Sequence, residues 1–169
     1  TEWIHDFKSI LSQLGITRIN LCGYSMGGRL AVSFACEYPQ IVNRLILEST
    51  TAGIINESER EKRIGEDLLN MAEINKDYLG FVKKWSNDLL FENQKKRNPN
   101  GWEAQQKIRL GQNEAQLSLS LQFLGTGNMP SLWNKIKKLQ SSVMLITGSE
   151  DSKYCRIATE CLQKIPDCK

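Results

Sequence analysis

Gly23-Tyr24-Ser25-Met26-Gly27 is the stretch that decides the fold of this chain. It has the pattern G-x-S-x-G, and it lies between a short apolar run ending at Cys22 and a helical pattern over residues 26–38. A sharp turn from strand to helix puts the central serine in a strained backbone conformation, so its neighbours two residues away must lack bulk. Gly23 and Gly27 meet that requirement. The stretch therefore predicts a nucleophile elbow with Ser25 at its tip.

The position of this serine favours reactions in which negative charge develops on the substrate. Ser25 would lie at a helix N-terminus, where unpaired N–H groups and the helix dipole attract anions. The N–H of Met26 is predicted to be one donor of an oxyanion hole, and Gly28 is expected to let the helix approach the sheet closely. The pattern also occurs by chance, so a serine in an ordinary strand-to-helix turn is the alternative.

Strand and helix patterns continue on both sides of the elbow. A strand, a helix and a second strand within about 30 residues form a βαβ unit, which requires a parallel sheet and a right-handed crossover. A third strand and a final helix follow much later in the chain. The predicted elements are helices over residues 2–14, 26–38 and 153–164, and strands over residues 17–23, 43–48 and 142–148.

The middle of the chain has a different character. From Asn56 to Leu139 charges are dense, helical patterns dominate and no strand-like run occurs. The predicted fold class is therefore α/β, a partial parallel sheet with flanking helices and a helical insertion. The predicted domains are a core segment with the elbow over residues 1–55, a helical lid over 56–139 and a second core segment over 140–169.

Composition narrows the possible partners and cofactors. The 169 residues carry 22 basic and 19 acidic side chains, and this even balance argues against a nucleic-acid partner. No apolar run is long enough to span a bilayer, so no membrane association is expected. One histidine and five cysteines without a Cys-x-x-Cys pair favour neither a metal site nor disulfides, and they predict a reducing, cytoplasmic location. Cys22 and Cys36 are predicted to be buried thiols.

Three segments resemble one enzyme family in their order and spacing. They are Gly23–Ala31, Leu47–Gly53 and Gly125–Trp133. The chain is similar, over essentially all its length, to the 2-succinyl-6-hydroxy-2,4-cyclohexadiene-1-carboxylate synthases of menaquinone biosynthesis, which belong to the α/β-hydrolase superfamily. This resemblance implies a lyase that eliminates pyruvate, with the serine of a Ser-His-Asp triad acting as a base. It implies no metal and no organic cofactor.

The resemblance also implies residues that bind a polyanionic small-molecule substrate. Arginines suit such a substrate, because a guanidinium group binds a carboxylate through two hydrogen bonds. Alternatives remain: a surface arginine for Arg29, Arg60 in place of Arg63, and a core tryptophan for Trp85. The implied substrate-binding residues are Tyr24, Arg29, Arg63, Trp85 and Arg109.

The acid of the triad is implied at Asp151. The segment Gly148–Tyr154 resembles the family pattern Gly-Glu-x-Asp-x-Lys-Phe, with Ser149 where the family has glutamate. Glu150 is adjacent, but alternating side-chain directions allow only one of the two to be a good partner. An ordinary turn aspartate is the alternative.

The histidine of the triad is expected after a further strand, beyond Lys169. His5, which precedes the elbow, is expected to be an exposed helix residue instead. A His-Gly segment that supplies the second oxyanion donor in this family is also absent from the sequence. The chain is therefore expected to be the middle of a longer enzyme. By itself it is predicted to be inactive, and it is predicted to aggregate through open strand edges.

Two other functions remain open. One is a related hydrolase that cleaves an ester or a carbon–carbon bond with the same elbow and triad. The other is a binding module that has lost its triad and retains affinity for a carboxylate-rich ligand. Three arginines favour the lyase over an esterase for neutral substrates.

Overall fold

A computed structural model describes residues 2–88 and 91–169. Thr1, Leu89 and Leu90, which the predicted domains include, lie outside the described residues. The chain folds into two compact units, one formed by Thr1–Glu57 with Pro130–Lys169 and the other by Ser58–Met129. We call them the sheet unit and the helical unit.

The strands are β1 (Ile19–Tyr24), β2 (Val42–Glu48) and β3 (Ser142–Ile146). The helices are α1 (Glu2–Gln13), α2 (Met26–Glu37), α3 (Glu57–Lys76), α4 (Tyr78–Ser86), α5 (Glu92–Arg97), α6 (Pro99–Leu110), α7 (Glu114–Leu124) and α8 (Ser152–Leu162). The predicted elements outside the insertion are confirmed, with ends that differ by a few residues.

The sheet is parallel, with the strand order β1-β2-β3. Its central strand β2 is the most buried, and Leu45 and Leu47 are 0% and 3% exposed. Helix α2 connects β1 to β2 and buries Phe34, whose ring meets that of Phe7 on α1 at 4.8 Å. The βαβ prediction is therefore confirmed, and the carboxyl ends of all three strands lie at one edge of the sheet.

A fourth line of pairing lies beside β3. The N–H of Val143 donates to the carbonyl of Asp167, and the N–H of Leu145 donates to that of Lys169, each at 2.8 Å. Val143 and Cys168 form a parallel bridge. No strand is predicted here from the sequence, because three residues are too few to show an alternation of apolar and polar side chains.

The predicted boundary at residue 139 differs from the structure. The second unit ends at Met129, and residues 130–139 belong to the sheet unit. Within that segment Leu132 and Ile136 are buried in the core, and the Trp133 indole N–H donates to the Gly53 carbonyl at 2.8 Å. Tertiary packing, which the local charge density did not reveal, decides where the core resumes.

The described part of the helical unit owes its helix ends to short polar caps. Asp77, Asn98 and Asn113 precede α4, α6 and α7, and each side chain accepts a hydrogen bond from a backbone N–H three residues later. Ile74 and Val82 are buried at 0% and 4% exposure. Among the described residues, none of the helices combines the length and apolar character needed to cross a membrane.

The cysteines correct one expectation. Cys22 is exposed, because its side chain projects from β1 away from the buried face. Cys36 is partly buried and Cys161 is buried; burial raises the pKa of Cys36 to about 11 and that of Cys161 to about 12. Both thiols are therefore protonated at neutral pH.

Candidate active site

Ser25 has the strained backbone that the elbow pattern predicts. Its φ is 50° and its ψ is −114°, between the end of β1 and the start of α2. Residues other than glycine adopt such a conformation at an energetic penalty of about 1–3 kcal/mol, and they retain it only where the surroundings enforce it. The side chain makes no capping hydrogen bond to α2. The hydroxyl is thus left for other partners.

Hydrogen bonds on both sides hold Ser25 in place. Its N–H donates to the carbonyl of Glu48, the last residue of β2, at 2.9 Å. Its carbonyl accepts from the Arg29 N–H at 3.2 Å and from the Thr50 hydroxyl at 2.7 Å. The end of β2, the segment that follows it and the first turn of α2 therefore all hold Ser25 in its strained conformation.

The glycines around the elbow do not share one role. A Cβ at Gly23 would lie 2.5 Å from the Gly27 carbonyl oxygen, and a Cβ at Gly28 would lie 2.6 Å from the Thr50 Cβ. A Cβ at Gly27 would meet nothing within 4 Å. The expectation that position 27 must lack bulk is therefore wrong in this structure, whereas Gly23 and Gly28 are required by close contacts.

The other predicted residues near the elbow occupy three different environments. Tyr24, at the end of β1, is 62% exposed, and Met26 begins α2 with its N–H in the unpaired first turn. Arg29 lies one turn further and is only 8% exposed, so the surface-arginine alternative is wrong. A buried guanidinium group retains its charge and needs anionic or polar partners.

Asp151 lies at the same edge of the sheet as Ser25. It follows β3, two strands from β1, which corresponds to a separation of about 10 Å between those strands. Its Oδ1 accepts a hydrogen bond from the Tyr154 N–H at 3.0 Å, so the carboxylate caps α8. The neighbouring Glu150 is exposed. Capping orients the Asp151 carboxylate and leaves its second oxygen for another donor.

His5 lies far from the elbow. Its Nδ1 is hydrogen-bonded to the Tyr38 hydroxyl at 2.8 Å, and Tyr38 is the C-cap of α2. Ser25 precedes the other end of this 12-residue helix, about 18 Å away. The expectation that His5 is an exposed helix residue is confirmed.

The helical unit contains a cleft of about 220 Å³ that brings three predicted residues together. Arg63, Trp85 and Arg109 all line it. The side chain of Trp85 is 40% exposed and its ring stacks on Phe81 at 5.9 Å, so Trp85 is not a core residue. The cleft also has the polar lining residues Asp67, Asn70, Tyr78 and Gln112 and the apolar lining residues Ile74, Val82, Leu117 and Leu121.

Asp67 holds Arg63 at the cleft. The Arg63 Nε donates to Asp67 Oδ1 at 3.0 Å, and Asp67 is 1% exposed. Asp67 Oδ2 is buried and has no hydrogen-bond partner among the described residues. A Cβ at Gly125 would lie 2.6 Å from that oxygen, so the turn after α7 can approach Asp67 only because it has glycine there. Arg60 instead lies with its carbonyl against Gly127.

Arg109 is held by aromatic rings. Its guanidinium group lies over the Phe91 ring at 4.3 Å and over the Trp102 ring at 5.1 Å. Its backbone carbonyl accepts a hydrogen bond from the Tyr78 hydroxyl. Burial, with a smaller contribution from the Glu114 carboxylate, raises the pKa of Tyr78, so this hydroxyl stays protonated. Stacking fixes the plane of the guanidinium group, which favours bidentate binding of a carboxylate.

Thr50 and Asp67 are not among the residues predicted from the sequence. Asp67 lies four residues after Arg63 on α3, and that spacing is the signal that could have identified the pair. Thr50 lies within a segment that carried the family resemblance, but no local pattern joins it to Ser25. No group of three or more metal-ligating side chains is found in the described ranges.

The chain matches a family model and several known proteins. The model is described as the alpha/beta hydrolase fold and matches residues 2–100. A Bacillus subtilis protein provisionally named 2-succinyl-6-hydroxy-2,4-cyclohexadiene-1-carboxylate synthase is 40% identical over 98% of this chain. A protein of that name from Serratia proteamaculans is 24% identical over 92% of the chain.

Among solved structures, MenH from S. aureus superposes with a TM-score of 0.93 over 98% of this chain, at 30% sequence identity. The chain spans 61% of the Bacillus protein, 60% of the Serratia protein and 63% of the S. aureus chain. The similarity therefore concerns about three fifths of each relative.

Proposed function

The chain belongs to the α/β-hydrolase fold family, and on that premise we propose that its native polypeptide is a carbon–oxygen lyase of menaquinone biosynthesis. The substrate is 2-succinyl-5-enolpyruvyl-6-hydroxy-3-cyclohexene-1-carboxylate, and the products are pyruvate and 2-succinyl-6-hydroxy-2,4-cyclohexadiene-1-carboxylate. The observation that carries the proposal is the strained Ser25, whose side chain does not cap the helix it precedes. The names of the Bacillus and Serratia relatives support the choice of substrate.

Ser25 acts as the base in this mechanism. It removes a ring proton, the bond between the ring and the enolpyruvyl oxygen breaks, and the ring gains a second double bond. The enolpyruvyl group leaves with the bonding electron pair as the enolate of pyruvate, which takes up one proton at its methylene carbon and so becomes pyruvate. A serine hydroxyl is too weak a base by itself, so a histidine must accept its proton, and Asp151 orients that histidine. His5 lies at the far end of α2, so this role is proposed for a histidine other than His5.

The negative charge that develops on the substrate is stabilised at the elbow. The Met26 N–H, at the positive end of the α2 dipole, supplies one donor of the oxyanion hole. A preformed donor of this kind stabilises the transition state without reorganisation, and its removal in other enzymes lowers the rate about 100- to 1,000-fold. The family supplies a second donor from a His-Gly segment.

The cleft of the helical unit suits an acidic ligand with an apolar body. Arg63, aligned by Asp67, and Arg109, stacked on two rings, offer guanidinium groups to carboxylates. Trp85 and the aliphatic lining residues offer apolar surface for a ring. We propose that these arginines, together with Arg29 and Tyr24, bind the substrate.

Pyruvate release tests the proposal. The native polypeptide that contains these residues is supplied with the enolpyruvyl substrate, and pyruvate is measured with lactate dehydrogenase. Cleavage of a p-nitrophenyl ester is measured in parallel. Pyruvate release that exceeds ester cleavage supports the lyase. Ester cleavage alone would indicate the hydrolase alternative, and carboxylate binding without either reaction would indicate a binding module.

Arg109→Lys is expected to raise KM for the substrate about tenfold while kcat changes little, because lysine loses the bidentate contact and the ring stacking. Lys107→Met, on the exposed face of the same helix, is the matched control and is expected to leave KM unchanged. Steady-state kinetics of pyruvate release measure both variants. A rise of KM in Lys107→Met as large as that in Arg109→Lys would contradict a specific role of the Arg109 guanidinium group.

A further inference from the structure

We propose that Thr50 is a positioning residue that orients the Ser25–Met26 peptide group for its role in the oxyanion hole. The inference rests on the proposed function in one respect, namely that Ser25 reacts beside an oxyanion formed at the Met26 N–H. It applies equally to the elimination and to ester hydrolysis, since both develop negative charge on a substrate oxygen.

Thr50 is hydrogen-bonded to the backbone of Ser25. The Thr50 hydroxyl donates to the Ser25 carbonyl at 2.7 Å, a shorter distance than the 2.9 Å between the Ser25 nitrogen and the Glu48 carbonyl oxygen. The Arg29 N–H donates to the same carbonyl at 3.2 Å. The carbonyl therefore has one partner from its own helix and one from the segment after β2.

The geometry of the Ser25–Met26 peptide bond links this hydrogen bond to the oxyanion hole. The Ser25 carbonyl and the Met26 N–H belong to one peptide group, and no peptide bond among the described residues is cis. In a trans peptide the C=O and N–H point in opposite directions within one plane. A partner that fixes the Ser25 carbonyl therefore also fixes the direction of the Met26 N–H. A hydrogen bond to the carbonyl also polarises the group and strengthens its N–H as a donor.

Close packing and a tight turn hold the Thr50 side chain in position. A Cβ at Gly28 would lie 2.6 Å from the Thr50 Cβ and 2.7 Å from both its Cγ2 and its Oγ1. The threonine side chain therefore packs into the space that glycine leaves on α2. Just before it, Ser49 has a φ of 42°, and its N–H donates to the Ile146 carbonyl at 2.9 Å. This turn is hydrogen-bonded to the end of β3, and it places the Thr50 side chain beside the elbow.

The test compares two substitutions in the native polypeptide. Thr50→Val keeps the shape of the side chain and removes the hydroxyl, whereas Thr50→Ser keeps the hydroxyl. We expect kcat to fall about tenfold in the valine variant, with KM changed less than about twofold, because only the transition state develops the charge. The serine variant is expected to retain at least about a third of the wild-type kcat.

A second reaction separates this inference from the choice of substrate. The rate at which a fluorophosphonate labels Ser25 also depends on the oxyanion hole, and it needs no knowledge of the natural substrate. Slower labelling of Thr50→Val, restored in Thr50→Ser, supports the inference even where pyruvate release is absent and the lyase proposal fails.

Three outcomes would overturn the role of Thr50. One is a valine variant with wild-type kcat and labelling rate. Another is a serine variant as impaired as the valine variant, which would indicate that packing against Gly28 matters and the hydroxyl does not. The third is a wild-type polypeptide in which Ser25 reacts with neither the substrate nor the fluorophosphonate. Thermal unfolding of both variants shows whether a loss of rate has a separate origin in stability.

Discussion

Ser25→Ala is expected to lower kcat for pyruvate release by at least about a thousandfold, because removal of one member of a triad disables the unit that transfers the proton. The effect should be confined to the reaction. The serine side chain does not cap α2, and its loss leaves the backbone hydrogen bonds of residue 25 in place. Substrate binding, measured by calorimetry, should therefore change little.

Ser25→Gly tests the backbone strain at residue 25 separately from the reaction. It also lacks the hydroxyl, so it should be as inactive as the alanine variant. Glycine adopts a positive φ without a steric penalty, and the free energy of unfolding should therefore be about 1 kcal/mol higher than that of the alanine variant. Urea unfolding measures the difference.

His5→Gln is the control for Ser25, since His5 contacts Tyr38 at the other end of α2. It should retain activity within about twofold. A large loss of activity in this variant, or a Ser25→Ala variant with near-normal kcat, would contradict the assignment of the elbow as the reacting site.

Gly23→Ala is expected to reduce the free energy of unfolding by about 3 kcal/mol or more, and to reduce activity with it. The new Cβ would lie 2.5 Å from the Gly27 carbonyl oxygen and 2.7 Å from the Gly28 Cα. These are backbone atoms of the first turn of α2, so no side chain can move aside. The elbow must open, and Ser25 then loses its position.

Gly27→Ala is the matched control. A Cβ at this position meets nothing within 4 Å, and alanine favours a helix over glycine. Its free energy of unfolding should stay within about 1 kcal/mol of the wild type. Thermal or urea unfolding of the native polypeptide compares the two variants. Equal destabilisation would show that both glycines serve conformational freedom and that the close contact at Gly23 is unimportant.

Local patterns accounted for most of the core. The alternation of apolar runs and helical periodicity predicted α1, β1, α2, β2, β3 and α8, because each of these elements buries a face whose repeat is visible in the sequence. The G-x-S-x-G pattern predicted the strain at Ser25, since the turn from strand to helix is itself a local feature. The alternative of a core tryptophan at Trp85 stayed open, since helical spacing alone cannot distinguish the wall of a cleft from a core.

Contacts between distant segments were beyond those patterns. Residues 130–139 have the charge density of the insertion, yet Leu132 and Ile136 pack in the core beside segments far away in the chain. The pairing of residues 167–169 with β3 was missed for the same reason. These three residues are held by hydrogen bonds to β3, and nothing in their own sequence indicates a strand. The close approach of the Gly125 turn to Asp67 likewise joins segments far apart in the chain.

Short-range patterns establish that a parallel α/β core presents Ser25 at a strand-to-helix turn, because hydrophobic period and turn chemistry act between residues close in the chain. The groups that hold that serine and the arginines in place come from long-range packing. The Thr50 hydroxyl on the Ser25 carbonyl and the aromatic rings beneath Arg109 are examples. Hydrogen bonds and ring contacts depend on angstrom-scale distances between separate elements, and those distances exist only after the elements have packed.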